Sequence, residues 1–384
     1  MTIATPESQG VDSNIIAEAL EDLREKRFDL HGFIAVKNGK IIAEGYAEPF
    51  HKEFRHRLYS SSKTFFAIAV GKLIGEGKVK LSDKIIDYFP EHKSVCEETL
   101  LNTTIENALT MCVALPCTSS GGRPIKVDGM DFTTYHDKNW TETAFNKYKG
   151  DLPDGTIFRY NSTATYLLNV IVEKLTNKSF LEYLRPEFDE IGVSKDISCI
   201  TTPDGYSWGA SGVLATLRDF ARVGELLLHK GKFNGKQLFP LDYMEKATSK
   251  RVESSLSGLR TNFSCGYGYQ IWIEPNGYGA HGMNSNSLHC FPAKDLIIAY
   301  TAGVNNATEK EGLYNYANRI FKHSYSQPLA ESEQGQQRLK DALDNMTLGR
   351  DYGEKYSSLE EKINNKKIVL QNNPMGIKWF KLVF

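Results

Sequence analysis

Apolar positions change their spacing several times along the chain, and each change marks an element. Asp12 or Ser13 stands as an N-cap ahead of Ile15, Ile16, Ala19, Leu20 and Leu23, which recur at helical spacing. Phe33–Val36 and Ile41–Ala43 then flank Asn38-Gly39. That dipeptide supplies the positive φ angles of a type I′ turn, so the segment is a hairpin. Phe65–Val70 is wholly apolar and is extended by Leu73 and Ile74 until Gly75 and Gly77, which predicts a buried helix beginning near Ser60–Ser62. A second helix is expected from about Thr163 to Leu175, on Leu167, Leu168, Ile171 and Val172. A third opens on the capping-box text Thr216-Leu217-Arg218-Asp219 and runs through Phe220, Val223, Leu226 and Leu227.

Period-two signals return late. Tyr267–Ile273 alternates, Pro275-Asn276-Gly277 turns it, and Tyr278–Gly282, Ser287–Phe291 and Leu296–Tyr300 follow as a meander. A helix carrying Leu313, Tyr316, Ala317, Ile320 and Phe321 closes the set. Strands at both ends of the pattern with helices between them predict an α/β (α+β) fold, in which one antiparallel sheet of about five strands is interrupted by a helical insertion. The expected division is residues 1–85 with 265–325 as a discontinuous sheet lobe, and 86–264 as a mainly helical lobe. Residues 326–384 form a polar C-terminal extension. Its last eight residues, Ile377–Phe384, read as a strand, either an edge of the main sheet or the start of a further module.

Composition narrows the function classes. At 41% hydrophobic and 24% charged, the 384 residues match ordinary globular proteins. A net charge of −1 leaves no electrostatic footprint for nucleic acid or an anionic membrane. No apolar run is long enough to span a bilayer, and Met1–Gly10 lacks the features of a secretory signal. Six scattered cysteines without a C-x-x-C pair are expected as reduced thiols in a cytoplasmic protein.

Chemistry concentrates at Ser60-Ser61-Ser62-Lys63. Three residues apart at the head of a helix, Ser60 and Lys63 share one face. A serine hydroxyl is a weak nucleophile at neutral pH, and an adjacent amine can take its proton or hold the alkoxide. An ordinary cap beside a surface lysine gives the same text. However, Phe65–Val70 places this lysine at the mouth of a buried helix, where desolvation depresses an amine toward a useful range.

The segment Leu58–Phe65, with Gly75-Glu76-Gly77 and Leu81-Ser82-Asp83, resembles the nucleophile region of the β-lactamase-related serine hydrolases. That grouping includes class C β-lactamases, D-alanyl-D-alanine carboxypeptidases, esterases and 6-aminohexanoate-dimer hydrolases. Thr104–Met111, Gly209–Asp219 and Gly266–Trp272 resemble further segments of it, so the likeness runs with gaps from about Thr5 to about Phe321. The resemblance implies a β-lactamase/transpeptidase-like fold with the site between the two lobes. It implies Tyr160, in Phe158-Arg159-Tyr160-Asn161-Ser162, as the tyrosine of a Tyr-x-Asn motif that exchanges protons with Ser60 and the leaving group. Ser162 stands where that motif has asparagine. Ala280-His281-Gly282 stands where the family has Lys-Thr-Gly, with Gly282 allowing close backbone approach. The backbone N–H groups of Ser60 and Met283 would form the oxyanion hole. His281 would hydrogen-bond substrate or Tyr160, or serve structure alone.

Competing motifs are missing. There is no G-x-S-x-G elbow, and the Gly71–Val79 stretch has the wrong spacing for a P-loop. His281, His289 and Cys290 suggest a metal only superficially, since along one strand positions 281 and 289 lie too far apart without a bend. The expectation is therefore a serine hydrolase of small ester or amide substrates, acting through an acyl-enzyme with no metal or organic cofactor implied. Ser60, Lys63 and Tyr160 would be catalytic, and Ser162, His281 and Gly282 would contact substrate. A D-amino-acid peptidase or β-lactamase is the neighbouring alternative, disfavoured by Ser162 and Ala280. A non-catalytic binding protein of the same fold is the alternative of another class. Oligomeric state has no signature in the text.

Overall fold

Asn38 and Gly39 adopt φ of 50° and 72°, and the hairpin they turn pairs Leu30–Lys37 (β2) with Lys40–Tyr46 (β3). It forms one half of the main sheet in a computed structural model that describes residues 1–96, 98–113, 139–146, 155, 157–255, 265–304, 307–349, 356–372 and 377–384. The other half comes from the end of the pattern: Trp272–Glu274 (β4), Gly277–His281 (β5), Ser287–Phe291 (β6) and Leu296–Ala302 (β7). With Thr2–Ile3 as β1, the order is β1-β3-β2-β7-β6-β5-β4, seven strands rather than about five. The two halves join where β7 runs antiparallel to β2, from Leu296↔Lys37 to Ala302↔Leu30. Both extra strands are short and lie at the outer edges, and β1 is parallel to β3.

Alternation gives the sheet two apolar faces. One carries Ile34, Val36, Ala280, Leu288, Cys290, Ile297 and Ala299 against Ser62–Gly75 (α2), Ser162–Thr176 (α3) and Leu217–Leu228 (α4). The other carries Phe33, Ala35, Phe291, Ile298 and Tyr300 against Ser13–Glu25 (α1), Ala307–Lys322 (α5) and Glu333–Asp344 (α6). Asp12 caps α1 by accepting from Asn14 N, and Thr216 with Asp219 forms the expected box on α4. α2 is buried all round: Phe65, Phe66, Ile68, Ala69 and Val70 are each at most 2% exposed. Burying each large side chain stabilises the fold by about 1.5–3 kcal/mol. Several such residues together offset the several kcal/mol that an interior ammonium costs.

Tyr267–Ile273 departs from the expected alternating strand. Gln270 turns left-handed at φ 59° and its amide donates to the carbonyls of Ala108 and Leu109, which pulls the chain away from the sheet until Trp272. The extension also divides. By contacts the chain forms two units, Met1–Leu348 and Gly349–Phe384, so α6 belongs with the sheet unit and packs on α1. The terminal strand is neither an edge of the main sheet nor unpaired, since Trp379–Lys381 pairs antiparallel with Lys367–Val369. No helix among the described residues is long and apolar enough to cross a membrane.

One half-buried group ties the sheet unit's stability to pH. His56 lies against His31, Nε2 to Nδ1 at 2.7 Å, and desolvation together with the neighbouring ring pushes its pKa down to about 4. An unfolded histidine takes its proton near 6.5. Between those values the unfolded chain binds a proton that the fold refuses, so stability is lost as pH falls through that window. The urea midpoint is expected to decline from pH 7 to pH 4, with His56→Gln flattening part of the decline. Equal slopes in the two proteins would refute the assignment.

Candidate active site

Chain direction at the nucleophile is set by Tyr59, which sits left-handed at φ 48° ahead of the tight turn Tyr59–Ser61 that enters α2. Val213 fastens that turn from outside: Leu58 N donates to its carbonyl at 2.9 Å, and its own N–H donates to Ser62 Oγ at 3.0 Å. The same crossing brings Ala210 over the helix mouth. Lys63 Nζ donates to Ala210 O at 2.8 Å and to Ser60 Oγ at 3.3 Å. Lys63 is 1% exposed, so its Nζ is held by a fixed carbonyl and the serine oxygen in an interior setting. The expected shared face of Ser60 and Lys63 is therefore realised, and the carbonyl partner from residue 210 lay in a segment whose role the sequence had not specified.

Tyr160 reaches the same place from the other side. Arg159 N donates to Met111 O at 2.8 Å and Asn161 N to Met111 Sδ at 3.2 Å, pinning the residues on either side of it. Asn161 then caps α3 by accepting from Thr163 N and Ala164 N, and Ser162 is the first residue of that helix. The phenol ring stacks on Trp272, with centroids 5.6 Å apart and planes at 16°, and meets Tyr267 edge-on. Lys63 Nζ lies 4.9 Å from the ring centroid. Residues 60, 63 and 160, drawn from two elements a hundred residues apart, thus converge on one ammonium. Trp272 escaped sequence reading as a site residue, although it ends the Gly266–Trp272 segment and is aromatic in an otherwise strand-like run.

The end of β5 closes the third side. A Cβ at Gly282 would stand 2.2 Å from Leu58 O, so glycine is required for β5 to abut the turn that holds Ser60. The close approach expected at this glycine is made to the protein's own backbone. Ser61 Oγ reinforces it by donating to Asn286 O at 2.7 Å. Met283 follows in a short turn and is 57% exposed. Among the described residues, neither Ser60 N–H nor Met283 N–H donates to a backbone carbonyl.

His281 is engaged by its neighbours in the sheet. Its Nε2 lies 2.7 Å from Glu274 Oε1, and its Nδ1 lies 3.2 Å from Ser287 Oγ. His289 Nδ1 lies 2.8 Å from the same Glu274 oxygen. The separation expected between residues 281 and 289 is overturned, because they lie on two paired strands, with Gly279 opposite His289 and His281 opposite Ser287. The necessary bend is the Met283–Ser285 turn, where Asn284 and Ser285 take φ of 61° and 64°. Cys290 faces the opposite side and approaches Gly224 O. The Glu274, His281 and His289 ligand atoms all lie within 4.8 Å of one another. At 2.7 and 2.8 Å the two nitrogen–oxygen contacts are hydrogen bonds, shorter than the about 3.3 Å between neighbouring ligands of a tetrahedral zinc. Burial pushes the Glu274 carboxyl up, but His289 and the hydrogen bonds from both rings outweigh this and bring its pKa down to about 2. Desolvation lowers His281, against the pull of Glu274.

The Beta-lactamase family model matches residues 20–320. The 6-aminohexanoate-dimer hydrolase of Paenarthrobacter ureafaciens is 26% identical over 319 residues, spanning 77% of this chain and 78% of the relative. A Bacillus anthracis structure provisionally assigned as a 6-aminohexanoate-dimer hydrolase superposes with a TM-score of 0.67 at 24% identity, over 79% of this chain and 81% of that one. EstCE1, a hydrolase with promiscuous acyltransferase activity, superposes with a TM-score of 0.60 at 13% identity, over 81% and 98%. These structural likenesses carry the fold.

Proposed function

The chain belongs to the beta-lactamase family and is a serine hydrolase, and from that premise we propose Ser60 as its nucleophile, with Lys63 and Tyr160 moving the proton. The observation that carries this reading is the buried Lys63 Nζ, 3.3 Å from Ser60 Oγ and 4.9 Å from the Tyr160 ring. Attack by Ser60 Oγ on an ester or amide carbonyl passes the hydroxyl proton to the Lys63–Tyr160 pair, which accepts it while one of the two groups is deprotonated, as amine or as phenolate. The developing oxyanion lies against the N–H groups of Ser60 and Met283, which is worth several kcal/mol if both are preset. Collapse expels the alcohol or amine as it takes the proton, leaving an acyl-Ser60 ester. Water then hydrolyses that ester, with the same pair as base.

Small linear amides and esters are the substrate class supported by the 6-aminohexanoate-dimer hydrolase likeness together with Ser162 and Ala280. Those two residues replace the asparagine and lysine with which the family's β-lactam and D-peptide enzymes meet their substrates. Cys199 and Cys290 stand as free thiols, in keeping with a reducing compartment.

Treatment with a fluorophosphonate tests the reading. The intact mass is expected to rise by one phosphonyl group, and digestion should place it on the peptide containing Ser60. A label elsewhere, or none with a reactive probe, would remove Ser60 from its role.

A further inference from the structure

Glu274 is a charged group that the acyl-transfer steps leave unused, and it is bonded through His281 to the end of β5, whose next residue, Gly282, abuts Leu58 in the turn that holds Ser60. Its side chain is fully buried, and its Oε2 has no hydrogen-bond partner among the described residues. Oε1 accepts from both His281 Nε2 and His289 Nδ1, so one carboxylate oxygen holds two imidazoles. The arrangement is built into the hairpin. Glu274 on β4 is opposite Gly277, and His289 on β6 is opposite Gly279. A Cβ at residue 279 would fall 2.7 Å from Glu274 Oε1 and 3.2 Å from His281 Nε2. Glycine there is what lets the glutamate and the histidine close over the strand.

This changes what the edge of the site offers. A carboxylate arriving beside β5 needs a donor or a positive charge there. The position before His281 is Ala280, which points into the apolar core and is 1% exposed. His281 has already committed Nε2 to Glu274, and its Nδ1 faces Ser287 Oγ. Behind the ring stands a buried carboxylate bonded to both imidazoles, in an interior where charges act on one another more strongly than in water.

We propose that the Glu274–His281–His289 group makes the β5 edge a carboxylate-excluding subsite, so that the enzyme takes substrates whose substituent there is uncharged or cationic. The inference rests on the active-site reading above and names its substrate class. Glu274 is a specificity-determining residue that acts through His281 and its own charge, not one that touches the reacting atoms.

A matched series of phenyl esters tests it at pH 8, above the ordinary histidine pKa of about 6.5. The neutral ester is compared with partners bearing a carboxylate or an ammonium, first on the leaving phenol and then at the far end of the acyl chain. At one of these positions the carboxylate is expected to lower kcat/KM on the order of tenfold or more relative to the neutral ester, while the ammonium is tolerated. Glu274→Gln keeps the shape and removes the charge, and it should close most of that gap. A purely structural role for Glu274 would lower all the esters alike and leave the ratio unchanged. The wild-type ratio needs no variant, so a Glu274→Gln protein that does not fold still leaves the claim exposed. Equal turnover of neutral and carboxylate esters at both positions, or an unchanged ratio in Glu274→Gln, overturns the subsite. Absence of fluorophosphonate-sensitive turnover of the neutral ester overturns the active-site reading instead.

Discussion

Lys63→Met is expected to lower kcat/KM for a nitrophenyl ester by about 10³-fold or more while leaving the fold intact. The amine is the nearest group able to accept or stabilise the Ser60 proton, and general base assistance of this kind contributes roughly 10²–10⁴-fold. Loss of charge stabilisation at the alkoxide adds to that. Stability should move little, because two effects oppose each other. Methionine leaves Ala210 O without its donor, which costs about 1–3 kcal/mol. It also removes a buried polar nitrogen whose desolvation is itself a cost that methionine does not carry. Lys63→Arg should not restore activity, since a guanidinium does not give up its proton and its planar fork is too large for a 1%-exposed position. Stopped-flow acylation and thermal melting together check the claim. A Lys63→Met enzyme that keeps a tenth of wild-type acylation rules out the amine as the proton partner.

The contrast between Lys63 and His281 shows where sequence reading reached and where it stopped. Lys63 was legible because local information suffices: a helix start, a three-residue spacing and an apolar run place it at a buried mouth. The Asn38-Gly39 hairpin and helices α2, α3 and α4 were legible for the same reason, each carrying its own turn residue, cap or period. His281 and His289 depend on a turn at Asn284 and Ser285, two left-handed residues without a glycine to announce them. Counting 281 and 289 along one strand, rather than across the meander read from the same stretch, put the two histidines far apart, and the hairpin brings their rings to 5.1 Å. Glu274 escaped notice as their partner because the Pro275-Asn276-Gly277 turn beside it announces one hairpin, whereas its meeting with His289 needs the register of three strands. The same holds for β1 and for Lys367–Val369, strands of two and three residues whose partners lie further along the chain. The Gln270 kink is a tertiary override, since its amide bonds to Ala108 and Leu109 outweigh the β-propensity of its aromatic neighbours.

Tyr160→Phe deletes one oxygen and little else, so it separates chemistry from packing. The phenyl ring can still stack on Trp272 and meet Tyr267, and the Met111 bonds on either side involve only backbone N–H groups. Melting temperature should therefore stay near wild type. If the hydroxyl carries the proton from Ser60 to the leaving group, its loss should cost about 10²–10⁴-fold, with the size set by the leaving group. Nitrophenolate departs without a proton, so hydrolysis of a nitrophenyl ester needs the relay only for the attack. An alkyl ester or amide must be protonated as it leaves, and its turnover should fall further, by about another tenfold or more. The ratio of the two losses is the decisive quantity. A general weakening of the site would lower both substrates in proportion, whereas a lost proton donor penalises the poor leaving group selectively. Should the two losses be equal, Tyr160 would be left with a packing role against Trp272, and the proton transfer would fall to Lys63 alone.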